Sequence, residues 1–178
     1  MGEDYTLFLF GDEPVFESSP VMKITHYPFE PESYKPFAQA QLVAVPGGIT
    51  ARLWAFEARP EAVSTLALAL KGPNGVVYTL SVTLSGDAAA ALDGLPCAPP
   101  HIHPFAGEDL QGEYWGVLFT LGGDILGRLD IEVPTDGLLL HGNVYKLCDG
   151  RRPHFGAFAP VSARDPSLCS ARIRVMRY

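Results

Sequence analysis

Hydrophobic and polar positions alternate along much of the chain with the two-residue period of β-strands. The clearest case covers residues 49–57, I-T-A-R-L-W-A-F-E. Because successive side chains of a strand point to opposite faces, its aliphatic positions share one face while Arg52, Trp54 and Phe56 share the other. This pattern predicts a strand with at least one buried face. Similar runs predict six more strands, over residues 39–45, 64–70, 76–84, 115–121, 138–146 and 170–178.

Glycine and proline separate these runs. The chain holds 18 Gly and 16 Pro, which favours many short elements joined by tight turns. One segment has a helical pattern, D-A-A-A-A-L at residues 87–92, with Ser85 or Gly86 as N-cap and Gly94 as the stop. We therefore expect one all-β domain over residues 1–178, a β-sandwich or jelly-roll-like fold with one short helix near 86–93.

The composition excludes two classes of protein. Thirteen Lys plus Arg against 20 Asp plus Glu give a formal charge of −7, whereas binding to nucleic acid needs a positive surface. No run approaches the ~18 apolar residues of a membrane span. The start of the chain lacks the basic segment and long apolar run of a secretory signal, so we expect a cytoplasmic protein that binds neither nucleic acid nor membranes. The sequence does not indicate an oligomeric state.

The charge is distributed unevenly. Residues 1–32 carry seven acids and one Lys, and residues 151–178 carry six Arg and one Asp. Either the two termini lie near each other, or the basic end binds an anionic ligand. Arg172 and Arg174 fall on one face of the terminal predicted strand, which favours pairing of the termini within one domain.

A metal site is the first candidate for chemistry. His101 and His103, with Glu108 five residues later, resemble the facial metal site of a cupin-like enzyme. Nearby prolines and wrong spacings disfavour a strand there, so we interpret these as loop histidines and expect no metal or other cofactor. Residues 92–112 are predicted to form a long irregular loop. No nucleophile or phosphate-loop motif occurs, and an enzyme is therefore not the leading hypothesis.

The densest cluster of distinctive residues lies at 143–160, N-V-Y-K-L-C-D-G-R-R-P-H-F-G-A-F-A-P. Amides, a cation and aromatic rings are the groups that hold a sugar, because hydroxyls need fixed donors and acceptors and the pyranose C–H face stacks on a ring. Alternatively, these aromatic residues close the end of the sandwich core. The candidate ligand-binding residues are Asn143, Tyr145, Lys146, His154, Phe155, Phe158 and Trp115.

The segment 129–161, with I-E-V-P, G-N-V-Y-K and D-G-R-R-P-H-F-G-A-F-A-P-V, resembles the family-9-like carbohydrate-binding domains. Weaker matches extend the similarity to residues 27–175. The resemblance implies a non-catalytic sugar-binding module in a β-sandwich, in which two tryptophans hold the end of a sugar chain. It also implies that Phe158 supplies one stacking ring and that Asn143, Tyr145, Lys146 and His154 occupy polar positions of the site.

The chain departs from that family in ways that affect the site. Residues 61–68 stand where the family has an acidic D-S-x-x-E strand, but lack its tryptophan and both carboxylates. We expect Trp54 to lie in the core and Trp115 to be the better candidate for an exposed stacking surface. The leading hypothesis is a carbohydrate-binding-like module with a partly degenerate site. The alternatives are a structural or protein-interaction domain and, less favoured, the cupin-like metal enzyme.

Overall fold

The computed structural model describes residues 3–29 and 33–178, and within them the chain forms thirteen strands, one 3-10 helix at Phe16–Ser18 and one α-helix, α1, at Gly123–Arg128. The all-β class with one short helix is confirmed. The strands are β1 Asp4–Leu9, β2 Met22–Ile24, β3 Phe37–Val45, β4 Gly48–Phe56, β5 Thr65–Lys71, β6 Val77–Thr83, β7 Ala88–Leu92, β8 Leu95–Cys97, β9 His103–Asp109, β10 Gly112–Leu121, β11 Leu139–Cys148, β12 His154–Ala157 and β13 Ala171–Arg177.

The strands form one continuous sheet that curls on itself. Its order is β8-β7-β6-β5-β11-β13-β1-β3-β4-β10-β9, while β12 pairs with β11 and β2 with β3. Residues from the two halves of this order, such as Leu68 on β5 and Leu53 on β4, belong to a single buried core. The two halves of the sheet therefore face each other across that core, which gives the expected sandwich.

The strand expectations are confirmed wherever the two-residue pattern was clear. The seven predicted runs correspond to β3, β4, β5, β6, β10, β11 and β13. On β4, the even and odd positions separate as expected, because Leu53 and its aliphatic neighbours are buried while Arg52, Trp54 and Phe56 are half-buried. A strand of this kind closes the core with one face and leaves the other available for a surface function.

The predicted helix near residues 86–93 is wrong in position. Residues 88–92 form β7, which pairs with β6 from Val82↔Ala88 to Tyr78↔Leu92. A helix of about one turn has little stability of its own, whereas pairing with β6 satisfies the backbone and buries Ala90 and Leu92. The helix lies instead at α1, in a segment whose glycine pair predicts a turn. No helix in the described part of the chain is long and apolar enough to span a membrane.

The prediction of a long irregular loop at 92–112 is also wrong, because β8 and β9 lie within it. Both strands are at the edges of the sheet. Pro96 in β8 and Pro104 in β9 are tolerated there, since an edge strand has one side on which no N–H is needed for pairing. Proline therefore marks the sheet edges in this chain and does not exclude strands.

The pairing of the termini is confirmed. Strand β1 lies between β13 and β3 and runs parallel to both. Asp4 and Arg172 are register partners, and the Arg172 Nε lies 2.8 Å from the Asp4 Oδ1. Two acids of the N-terminal stretch, Glu30 and Glu32, lie outside the described residues. One pair of these oppositely charged residues thus joins the first and last strands at the surface.

We expect Gly142→Ala to lower the free energy of unfolding by about 1–3 kcal/mol, because an added Cβ would overpack the sheet. That Cβ would lie 2.5 Å from the Ala69 carbonyl oxygen and 2.9 Å from the Ile173 Cδ1. Gly127→Ala in α1 is the control, since no atom lies within 4 Å of the position that its added methyl group would take. Chemical denaturation checks both, and equal stability of the two variants would contradict the packing described for β11.

Candidate functional site

Six of the seven candidate ligand-binding residues are buried. Asn143, Tyr145 and Lys146 lie on β11, and His154 and Phe155 on β12. Trp115, on β10, has only 4% of its surface exposed, so it does not form the expected exposed stacking surface. Phe158, just after β12, is partly exposed and packs against the main core. The motif residues are therefore brought together as expected, but mostly beneath the surface. These buried residues are Asn143, Tyr145, Lys146, His154, Phe155 and Trp115.

The outward side chains of β11 anchor the segment that covers them. The Asn143 side chain donates from Nδ2 to the Ala159 carbonyl (3.0 Å), and its Oδ1 accepts from the Ala159 N–H (2.9 Å). The Tyr145 hydroxyl donates to the Leu168 carbonyl, and its ring centroid lies 5.4 Å from that of Phe155. Asn143 and Tyr145 thus satisfy buried backbone groups of residues 159–168, which is a structural role.

The inward side chains of the same strand build a buried polar cluster around Glu57 and Lys146. The Lys146 Nζ lies 3.3 Å from the Glu57 Oε2, 2.7 Å from the His154 Nε2 and 2.5 Å from the Ser64 Oγ. We call Glu57, Ser64, Trp115, Lys146 and His154 the polar cluster. It closes one end of the sandwich, where inner-face positions of β4, β10 and β11 would otherwise carry aliphatic residues.

The Glu57 carboxylate is fully occupied within this cluster. Its Oε2 accepts from the Ser64 hydroxyl and from the Trp115 Nε1, both at 2.8 Å, and its Oε1 accepts from the Tyr34 hydroxyl at 3.1 Å. The His154 Nδ1 lies 2.8 Å from the Arg152 carbonyl, so it carries the ring proton and leaves Nε2 to accept from the Lys146 ammonium. Every charged group of the cluster therefore has partners, as burial requires.

Burial and charge shift the pKa values of these groups in definite directions. Burial alone would raise the pKa of Glu57, but the Lys146 charge and the hydrogen bonds from Trp115 and Ser64 outweigh it and hold that pKa below its usual value. Burial lowers the pKa of the Lys146 ammonium, an effect that Glu57 opposes. Burial, helped by the Glu57 charge, raises the pKa of Tyr34 to about 12. The cluster thus holds an ionised carboxylate at neutral pH, and the Tyr34 phenol that donates to it is neutral.

Sequence reasoning left Glu57, Ser64 and Tyr34 without a role. The signal for Glu57 was present, because it occupies the same face of the run 49–57 as the buried aliphatic residues. A carboxylate on such a face implies a buried cationic partner. Its partner Lys146 is 89 residues away in sequence (146 − 57), so no local pattern could identify the pair.

A second candidate site lies on the opposite, outer face of β4. Here β3, β4, β10 and β9 present five partly exposed aromatic side chains, which we call the aromatic face. They are Phe37, Trp54, Phe56, Phe105 and Tyr114. The strand register places them in two rows. Gly116 lies opposite both Trp54 and Phe105, and Phe56 lies opposite both Phe37 and Tyr114.

Two glycines allow rings to lie across neighbouring strands. A Cβ at Gly107 would lie 2.5 Å from the Tyr114 hydroxyl, and a Cβ at Gly116 would clash with the ring of Phe105. Each ring therefore covers the backbone of the next strand in place of a side chain. The Phe37 and Phe56 rings stack with centroids 5.8 Å apart, and Tyr114 contacts Phe56 at 5.7 Å and Phe105 at 6.3 Å.

Polar groups border this face and form part of a depression of about 450 Å³. Arg52 and Asp109 line it together with Trp54 and Tyr114. The Arg52 guanidinium lies between the rings of Phe16 and Trp54, 4.8 Å from each centroid. The depression thus combines aromatic rings with hydrogen-bonding groups of both charges.

The strand pattern of residues 49–57 indicated the β4 side chains of this site but not those of β9 and β10. The expectation that Trp54 lies in the core is wrong, because its side chain is on the outer face beside Arg52 and is partly exposed. The presence of Arg52 on that face was the signal that it is not fully buried. Phe105 and Tyr114 join the site only because residues 103–109 form an edge strand, which the prolines concealed.

The candidate metal site does not assemble. His103 begins β9, and its ring lies 4.4 Å from that of His101, centroid to centroid. Over residues 3–29 and 33–178, no group of three or more His, Cys, Asp or Glu side chains could hold a metal ion. His101, His103 and Glu108 are exposed, and no structural observation supports a cupin-like centre.

No protein-family model matches the chain, and no curated protein matches it. Solved structures match its fold. A candidate carbohydrate-binding protein from Bacteroides uniformis ATCC 8492 gives a TM-score of 0.76 at 14% identity, covering 98% of this chain and 100% of that one. A family 9 carbohydrate-binding module from Caldicellulosiruptor kristjanssonii in complex with cellotriose gives 0.64 at 8% identity, covering 99% and 95%. A family 9 module from the same organism in complex with glucose gives 0.64 at 9% identity, covering 99% and 97%.

These matches confirm the fold that the motif over residues 129–161 indicates, a β-sandwich like that of the family 9 carbohydrate-binding modules. At such low identity the likeness concerns the backbone and not the binding residues. A fold can persist while its site changes, so the function of this chain has to follow from its own side chains.

We expect the stability of the protein to fall as the pH drops below about 4.5, the usual pKa of Glu57. The pKa of Glu57 is lowered on folding, so the unfolded chain binds more protons, and the stabilisation present above that pH is lost on acidification. Glu57→Gln removes this contribution. Its unfolding free energy should therefore depend less on pH between 5 and 3 in denaturation experiments, and an unchanged dependence would contradict the ionised state of Glu57.

Replacing one partner of the Glu57–Lys146 ion pair should lower the free energy of unfolding more than would be expected from the loss on replacing both. Either Glu57→Gln or Lys146→Met leaves a buried charge without its partner, for which we expect a loss of about 3–5 kcal/mol. The double variant should be destabilised by less than the sum, with a coupling energy of about 1–3 kcal/mol. A double-mutant cycle from urea denaturation measures this coupling, and additive effects would show that the two groups do not interact.

Proposed function

We propose that this chain is a non-catalytic carbohydrate-binding module and that its sugar lies on the aromatic face. One observation carries the proposal: Trp54, Phe56, Phe105 and Tyr114 are partly exposed side by side in one depression with Arg52 and Asp109. The C–H face of a pyranose packs on aromatic rings, and its hydroxyls need donors and acceptors at the edges of those rings. The fold shared with carbohydrate-binding modules supports the same function.

Polar side chains are placed where sugar hydroxyls would lie. Gln39 is the register partner of Trp54 on β3, and Lys23 is the partner of Gln39 on β2. Because directly paired residues share a face of the sheet, these two side chains border the Trp54 ring on one side. Arg52 borders it along β4. The ring therefore has amide, ammonium and guanidinium donors within its surroundings.

The buried motif residues take a positioning role in this proposal. Trp115 lies between Tyr114 and Gly116 in sequence and points inward to Glu57, which itself follows Phe56. The polar cluster thus holds the ends of β4 and β10 from behind the aromatic face. Phe158, partly exposed at the end of the sandwich, stays the candidate for a separate stacking ring, as the resemblance implies. We propose that the site matched by the motif is degenerate and that the sugar lies on the sheet face instead.

The number of carboxylates at the depression is consistent with sugar binding without catalysis. Hydrolysis of a glycosidic bond ordinarily uses two carboxyl groups flanking the bond. Among the side chains that line the depression, Asp109 alone carries a carboxylate. Glu57 is close in sequence but is buried on the opposite face and paired with Lys146.

We expect Trp54→Ala to weaken oligosaccharide binding by about tenfold or more, because it removes the central ring of the aromatic face. Tyr178→Ala is the control, since Tyr178 is an exposed aromatic residue that does not line this depression. Calorimetric titration with glucose, cellotriose and a panel of xylo- and manno-oligosaccharides measures the effect, and thermal unfolding verifies that the variant is folded.

The proposal fails if the unsubstituted protein binds no mono- or oligosaccharide of this panel at millimolar concentration. That result would favour a structural or protein-interaction domain on the same fold. It also fails if Trp54→Ala and Tyr178→Ala bind equally well, because the sugar would then lie elsewhere.

A further inference from the structure

We infer that the aromatic face binds an internal stretch of an extended, uncharged polysaccharide and not the end of a sugar chain. This inference rests on the proposed function and specifies the ligand class of the same site. Three features of the aromatic face carry it: its length across the sheet, the exposure of both its ends and the distribution of charge around it.

The aromatic face is longer than one sugar ring. Its side chains come from four adjacent strands. Phe37, Phe56 and Tyr114 form one row across β3, β4 and β10 that meets Gly107 on β9, and Phe105 on β9 lies in the adjacent row with Trp54. Neighbouring strands lie about 4.8 Å apart, so three intervals span about 14 Å. A pyranose has about the breadth of one phenyl ring and covers one of these side chains at a time. Several consecutive sugar units are therefore needed to use all of the rings.

Both ends of the row are exposed. Phe37 is exposed at the β3 end, and Gly107 and Asp109 are exposed at the β9 end, which is the edge of the sheet. Gly107 has no side chain that could close the row beyond Tyr114. A bound chain can consequently continue past both ends, whereas recognition of a chain end requires a wall against which the terminal unit stops.

The charges favour a neutral ligand. Arg52 lies beside Trp54 on one side of the aromatic face. Asp109 lies on the opposite side of that face, beyond Tyr114 and Gly107. The aromatic positions between them carry no charge, and Lys23 on β2 lies beside this face, next to Gln39. The protein as a whole has a formal charge of −7, which repels an anionic polymer such as a polyuronate. An uncharged chain avoids this repulsion and still receives hydrogen bonds at both corners.

A length series of oligosaccharides tests the inference with the full chain. The probes are glucose, cellotriose, cellotetraose and cellohexaose, the matching xylo- and manno-oligosaccharides, and each hexaose with its reducing end converted to the alditol. In the series that binds, affinity should rise with length up to at least four units, to about 100-fold above the monosaccharide. Conversion to the alditol should change the affinity of the hexaose by less than about twofold.

Two outcomes overturn the internal, extended mode of binding while the proposed function stands. One is a monosaccharide that binds as tightly as the hexaose of its series. The other is a loss of about tenfold or more on reduction of the chain end, which would identify a terminal site. Absence of binding in all three series instead overturns the proposed function, and the inference falls with it. Tighter binding of a polyuronate than of any neutral hexaose would contradict the uncharged ligand class.

Variants on the two outermost strands of the aromatic face, β3 and β9, separate an extended site from a compact one. Phe37→Ala and Phe105→Ala should each weaken binding of the hexaose about three- to tenfold and leave binding of the monosaccharide within about twofold. Phe10→Ala, outside the aromatic face, is the matched control. Equal effects of both end variants on the monosaccharide and the hexaose would show that the ligand does not extend across the face.

Discussion

The alternation of strand β4 is the constraint on which the rest of the structure depends. Its inner positions carry small and aliphatic residues such as Ala51 and Leu53, which allow the curled sheet to close over one core. Its outer positions carry Arg52, Trp54 and Phe56. Because the side-chain period is two, a slip of one residue against β3 or β10 would bury the outer set and expose the inner one. Core closure and the aromatic face therefore require the same register.

The polar cluster also fixes the register of β4, at the end of that strand. Glu57 continues the inner face of β4 and meets Lys146 from β11 in the interior. Such a buried pair gives little net stability, but leaving either charge unpaired is costly. We regard it as a device that specifies how the two halves of the sheet meet. The motif residues in β11 and β12 are then needed for the fold, which accounts for a motif whose side chains lie mostly beneath the surface.

Much of the fold could be predicted from the sequence, because a half-buried strand has a pattern of its own, as in residues 49–57 and 170–178. Strand β7 could not, since a run of alanines fits a helix equally well until β6 is beside it. For the site, the motif grouped Lys146 with His154, and these two side chains contact each other in the structure. The burial of these two residues could not be predicted, because their partners Glu57 and Ser64 are distant in sequence. The proximity of Phe105 to Trp54 could not be predicted either, because it depends on the register of three strands.

The most direct test of the central claim is a crystal structure of the protein grown with the neutral hexaose that it binds. We predict electron density for several consecutive sugar units over Trp54, Phe56 and Tyr114, running across β4 and β10, with both ends of the chain in solvent. Density for a terminal sugar at Phe158, with the aromatic face empty, would contradict this account and would restore the site that the motif in residues 143–160 implies.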